Sequence, residues 1–131
     1  MATFVVDGGL AILTNRIIQA GTAPKNIGWG TGAGTAAKTD TTLFTEKLVD
    51  LTTSAGTDHT VGTEARATNT KTNDTYRVTG TRTATGAGTV TNAGLFDAAS
   101  GGTLYLKGDF TGIGLAIGDA IAFTCDTVFA N

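Results

Sequence analysis

The sequence predicts a mainly β protein: one antiparallel β-sandwich domain over residues 1–131, jelly-roll-like, with a single short N-terminal helix. Three observations predict it. About a fifth of the chain is threonine, a β-branched residue that is stiff at χ1 and suits a pleated surface. Glycine occurs 19 times against one proline, which supplies turns without breaking strands. Short runs of alternating polarity recur about every ten residues, and no helical pattern separates the later ones, so a parallel βαβ arrangement is not expected.

Residues Phe4–Val6 read as a short strand. Over Gly8–Ala20, Leu10, Leu13 and Ile17 recur at helical spacing, with Ala11 and Ile18 alongside. Asp7 is placed to cap this helix and Gly21 to end it. Gly21–Thr42 reads as a long loop centred on Ile27-Gly28-Trp29-Gly30-Thr31-Gly32-Ala33-Gly34, where glycine at alternate positions suits close backbone approach. Residues 7–42 are thus expected to act as a docking arm. Leu43–Leu51 has the Leu, Phe and Val content of a strand.

In His59–Asn69, Val61, Ala65 and Ala67 alternate with Glu64, Arg66 and Thr68. In Thr75–Thr83, Tyr76 and Val78 alternate with Arg77 and Thr79. Asn73-Asp74 turns one run into the other as a hairpin. Gly86-Ala87-Gly88 leads into Val90–Phe96, and Asp97–Gly102 is a strong turn. Beyond it, Leu104, Leu106 and Phe110 face inward against Tyr105, Lys107 and Asp109. Ile113, Leu115 and Ile117 form another run. Gly118-Asp119 then turns the chain into Ile121, Phe123, Cys125 and Phe129. A slip of one residue would put these rows in water, and each large side chain buried contributes roughly 1.5–3 kcal/mol.

Composition narrows the function. A net charge of −2 with 15% charged residues gives no basic surplus for nucleic acid or an anionic membrane. No apolar run approaches membrane-spanning length, and Met1–Asp7 does not read as a signal peptide. A single cysteine, Cys125, allows no internal disulfide, which fits folding in a reducing cytoplasm.

No catalytic, cofactor or metal site is expected. Gly32–Thr39 falls one residue short of a phosphate-binding loop, with Ala37 where glycine is required, and Thr39–Thr42 starts a helix poorly. Gly28, Gly30 and Gly32 do not form the dinucleotide fingerprint. His59, the only histidine, reads as a solvent-facing residue at a turn or strand end; Ser54 is nearby, without a nucleophile context. One His and one Cys cannot complete a zinc site. Cys125 reads as a buried hydrophobe, Asp97 and Asp119 as turn residues, and Asp109 and Asp126 as outward residues. Asn73-Asp74-Thr75 matches the glycosylation pattern, which carries no meaning without a signal peptide. Trp29, the only tryptophan, either fills its own core or anchors in a neighbour; a sugar platform would need more exposed aromatics. Ile27, Gly28, Trp29 and Gly30 are accordingly the expected subunit interface.

Several segments resemble a family of small structural proteins of tailed bacteriophages. They are Ile27–Gly32, Thr39-Asp40-Thr41 with Leu43, Asn92–Gly102, Gly108-Asp109-Phe110 and Gly118–Phe123. The match spans most of the chain and is weakest over residues 50–80. The family contains capsid cement or decoration proteins, and some relatives are tail-associated. The resemblance implies a jelly-roll-like sandwich, a homotrimer at local threefold axes and clamping of neighbouring major capsid proteins. It also implies residence on the virion's capsid surface after synthesis in the host cytoplasm. It supplies no catalytic residue and no cofactor, and the partners it implies include neither nucleic acid, membrane nor a small-molecule substrate. The competing readings are a tail- or fibre-associated protein touching the host surface and an enzyme acting on a surface polysaccharide.

Overall fold

The computed structural model describes residues 2–52 and 56–129. In chain order its elements are β1 (Ala2–Val5), α1 (Asp7–Ile17), β2 (Asn26–Gly30), β3 (Glu46–Lys47), β4 (Thr60–Val61), β5 (Thr63–Ala67), β6 (Thr75–Thr83), β7 (Gly88–Phe96), β8 (Leu104–Leu115) and β9 (Ala120–Val128). They form two antiparallel sheets in a sandwich-like arrangement. The larger has the order β1-β8-β7-β2-β3, with β4 also paired to β2; the smaller has the order β5-β6-β9. This is the predicted class, mainly β with one short helix.

The core lies where the two sheets face each other. Ile27, Leu95 and Leu106 of the larger sheet pack with Val78 of the smaller. Beside them, Trp29, Val90, Ala93 and Leu115 pack with Ala84 and Leu51. The predicted β5–β6 hairpin is present, and its turn is built on Asp74. That carboxylate accepts the backbone N–H groups of Asn69, Thr70 and Lys71 at 2.7, 2.9 and 2.8 Å. The turns at Asp97 and Asp119 are also as expected, each carboxylate accepting a nearby N–H, from Thr103 at 2.7 Å and Ala116 at 2.8 Å.

Several elements differ from expectation, each for a physical reason. Residues 26–30, expected in a loop, form β2, an inner strand between β7 and β3/β4 with every residue buried. The strand expected over Leu43–Leu51 shrinks to β3, because residues 31–45 instead cross the outer face of the larger sheet. Helix α1 is capped at Val6 without a side-chain bond, and Asp7 sits in its first turn. The helix meets β8 through Gly9 and Ile12, since a Cβ at Gly9 would run into the Tyr105 carbonyl oxygen. That close approach turns Leu10, Ile17 and Ile18 away from the core.

In β5 the expected parity is reversed. Glu64 and Arg66 lie opposite Val78 and Tyr76, and Ala65 lies opposite Arg77. Directly opposed residues share a face, so the alanines point outward. Small alanines on an edge strand gain little by burial, and Glu64 is held by the Tyr76 hydroxyl at 2.9 Å.

The two runs expected in Leu104–Ile117 are one strand as far as Leu115. Between Leu95 and Phe96 of β7, the partner in β8 moves from Leu106 to Leu104, so Tyr105 is the extra residue of a bulge. This sends Tyr105, expected outward, into the core, where its hydroxyl donates to Thr127 at 2.9 Å. Phe129, expected inward, lies just past β9 and is exposed.

Candidate functional site

The outer face of the larger sheet carries the first cluster of functional groups. Residues 31–45 cover it, and the alternate glycines make this possible. A Cβ at Gly30 would strike the Phe44 carbonyl oxygen, and one at Gly94 would lie 2.5 Å from the Leu106 oxygen and 3.0 Å from Leu43. The buried Asn92 side chain acts as a further rung. Its Oδ1 accepts the Phe44 N–H at 3.0 Å, and its Nδ2 donates to the Phe44 carbonyl at 3.1 Å.

Lys107, expected outward, is fully buried beneath this layer. Its Nζ donates to Asp40 Oδ2 at 2.9 Å and to the Thr42 carbonyl at 2.8 Å, and lies over the Phe44 ring. The bond from Lys107 holds the Asp40 carboxyl below its usual range. Asp109 accepts the Ala36 N–H at 3.0 Å. The near phosphate-binding segment thus lies in the covering layer. Asp40 also takes the Ala37 N–H at 3.0 Å, and no helix follows.

His59, expected in solvent, forms the second cluster. Its side chain is 0% exposed. The ring stacks on Phe96 at 3.9 Å between centroids and lies against Gly28, where a Cβ would come within 2.9 Å. Nδ1 is 2.8 Å from the Ala98 carbonyl, and Nε2 is 2.7 Å from Glu46 Oε1. Both ring nitrogens are therefore engaged in tying β3 and the β7–β8 turn to β2. Ser54 lies outside the described residues.

The third cluster surrounds Trp29 and Arg82. Trp29 is fully buried and donates its indole N–H to the Leu48 carbonyl at 2.9 Å. Arg82, 2% exposed, lies in the inner row of β6 with its guanidinium 5.0 Å from the Trp29 ring centroid. It donates to the carbonyls of Asp58, Lys47 and Ile27 at 2.7, 3.2 and 3.3 Å and to the Thr60 hydroxyl at 3.0 Å. Burial pulls its pKa down to about 10. Arg82 was legible by parity, since it continues the row of Tyr76 and Val78.

The expected interface residues Ile27, Gly28, Trp29 and Gly30 are brought together in β2, but in the interior of their own domain. Trp29 is a core residue, available neither to a neighbour nor to a sugar. Cys125 faces inward on β9, partly buried, and burial raises its thiol to about 11. Asp126, outward as expected, is held by both nitrogens of the Arg77 fork at 2.8 and 2.7 Å. Among the described residues, no group of three or more His, Cys, Asp and Glu is placed to hold a metal, and no helix is long and apolar enough to cross a membrane.

The remaining features face outward. Leu10 and Ile17 of α1 are 57% and 82% exposed, Ile18 just past the helix is 68% exposed, and Ile117 in the β8–β9 connection is 75% exposed. Helical spacing puts Leu10 and Ile17 on one face. An open groove of about 360 Å³ runs between β8 and β9. Comparison of the chain with protein-family models, curated proteins and solved structures finds no match.

Proposed function

We propose that this chain is a virion structural protein of a tailed bacteriophage, a capsid cement or decoration protein that binds across neighbouring major capsid proteins and stabilises the head. The observation that carries the reading is the set of large apolar side chains left in water: Leu10 and Ile17 on α1, Ile18 just past its end, and Ile117 between β8 and β9. Exposed apolar side chains that lie together mark surfaces that meet other proteins, and Leu10 and Ile17 share one face of α1. The buried polar groups fit the same reading, because His59, Arg82 and Lys107 are engaged in holding the chain's own layers together. The segments behind the family resemblance also belong to that framework. Asn92–Gly102 runs from the rung that holds Phe44 to the turn before β8.

The mechanism is passive. Burying each apolar side chain against a capsid subunit contributes up to roughly 1.5–3 kcal/mol. Contacts repeated over a lattice add through multivalency. Binding only to the closed, expanded shell stabilises that shell by mass action. Counting this chain against the major capsid protein in purified particles, by quantitative mass spectrometry, tests the proposal. A cement protein is present in numbers comparable to the shell subunit. A few copies per particle would move the protein to the tail, and absence from particles would remove the reading.

A further inference from the structure

The two edges of the smaller sheet are built differently. β5 is five residues long, exposed along nearly its whole length, and carries Glu64 and Arg66. Short, charged edges discourage the addition of another strand. β9 pairs with β6 in an unbroken register from Val128 to Ala120, and among the described residues no strand pairs with its other edge. It contains no proline, lysine or arginine. Its one charge, Asp126, is drawn toward β6 by Arg77. The result is a long row of backbone N–H and C=O groups without the usual guards.

The side chains next to that edge are also incompletely covered. Ile121, Phe123 and Cys125 face the larger sheet yet remain only partly buried. Phe123 and Cys125 line the groove of about 360 Å³ with Phe110, Leu106 and Ala93. A strand added to β9 would lie over this groove and point alternate side chains into it.

We infer that β9 pairs antiparallel with β9 of a second copy about a twofold axis, joining the two small sheets into one continuous sheet. The occupant follows from the edge. Addition needs a strand with free backbone N–H and C=O groups, and β9 of a second copy supplies one. A twofold contact needs only one self-complementary surface, and it closes without growing into a fibre. The sequence permits the pairing. With Thr124 on the axis, Phe123 comes opposite Cys125 and Ala122 opposite Asp126, so no like charges meet. The inference is independent of capsid binding, and it differs from the threefold assembly that the family resemblance implies.

Light scattering on the purified full chain, across a concentration series into the high micromolar range, tests it. The expected mass is twice 13.2 kDa. Ala122 and Thr124 are exposed on the outer face of β9. The double substitution Ala122→Asp/Thr124→Asp puts a carboxylate opposite Asp126 of the second copy and a like pair on the axis, so it should leave the circular dichroism unchanged and return the mass to 13.2 kDa. A wild-type monomer, a trimer, or a dimer that survives both aspartates overturns the inference. Should the double variant fail to fold, hydrogen exchange of the wild type decides. Protection of the Ala120–Val128 amides that rises with concentration supports the pairing, and exchange independent of concentration overturns it. None of these outcomes depends on whether the protein binds capsids.

Discussion

Replacing Arg82 with methionine sets two effects against each other. Methionine keeps much of the apolar stem and removes a buried charge. That relieves the desolvation which depresses the pKa of Arg82, and such exchanges are often neutral. The guanidinium, however, supplies donors to three backbone carbonyls and one hydroxyl. A buried acceptor left without its donor costs about 1–3 kcal/mol. The Asp58 carbonyl, at 2.7 Å, carries most of that loss. Ile27 and Lys47 sit in strand ladders that offset part of theirs. Losing the cation near the Trp29 ring adds about 0.5–2 kcal/mol. The expected net destabilisation is about 3 kcal/mol, a large share of the roughly 5–15 kcal/mol that holds a domain folded. Urea unfolding followed by Trp29 fluorescence measures it, and at about 1–3 kcal/mol per molar urea the midpoint falls by roughly 1–3 M. A methionine variant with the wild-type midpoint and slope would refute the reasoning, because those carbonyls would then not depend on Arg82.

Two further outcomes follow from the same contacts. Gly30→Ala forces the covering segment off the sheet at the Phe44 carbonyl and is expected to cost about 1–3 kcal/mol. Gly114→Ala meets nothing within 4 Å and stays within about 0.5 kcal/mol of wild type; calorimetric Tm values compare the two, and equal losses would contradict the covering role. The N–H groups of Lys71, Asn69 and Thr70 hold the Asp74 carboxyl well below its usual range. A depressed folded-state pKa contributes stability that is present above the unfolded value of about 3.9 and is lost as pH falls toward the folded one. The Tm gap between wild type and Asp74→Asn should therefore be full near neutral pH and narrow below about pH 4, and a gap constant with pH would refute the assignment.

The sequence made some of this structure legible and concealed the rest. Local signals carried the hairpin at Asn73-Asp74, the turns at Asp97 and Asp119, and the inward row Ile121, Phe123 and Cys125, since each depends only on neighbouring residues. Alternate glycines at 28, 30 and 32 announced close approach. They did not reveal that residues 31–45 are what approaches, because that layer is fixed by distant partners such as Asn92 and Lys107. Lys107 and His59 read as surface residues for the same reason. Their partners Asp40 and Glu46 lie far away or across a turn in sequence. Tyr105 was misplaced by the bulge, which strict alternation cannot express. Helical periodicity found α1, but of its expected row Leu13 packs on the core while Leu10 and Ile17 face outward, because the helix meets β8 closely at the slim Gly9 and at Ile12.

The proposed role rests on what the surface can dock against, and binding to a shell tests it most directly. Purified protein is titrated onto expanded phage capsids that lack it, and bound protein and shell melting temperature are read together. The account predicts saturable binding at micromolar concentration or below, with a melting temperature that rises with occupancy. No binding at those concentrations, together with unchanged shell melting, would contradict it.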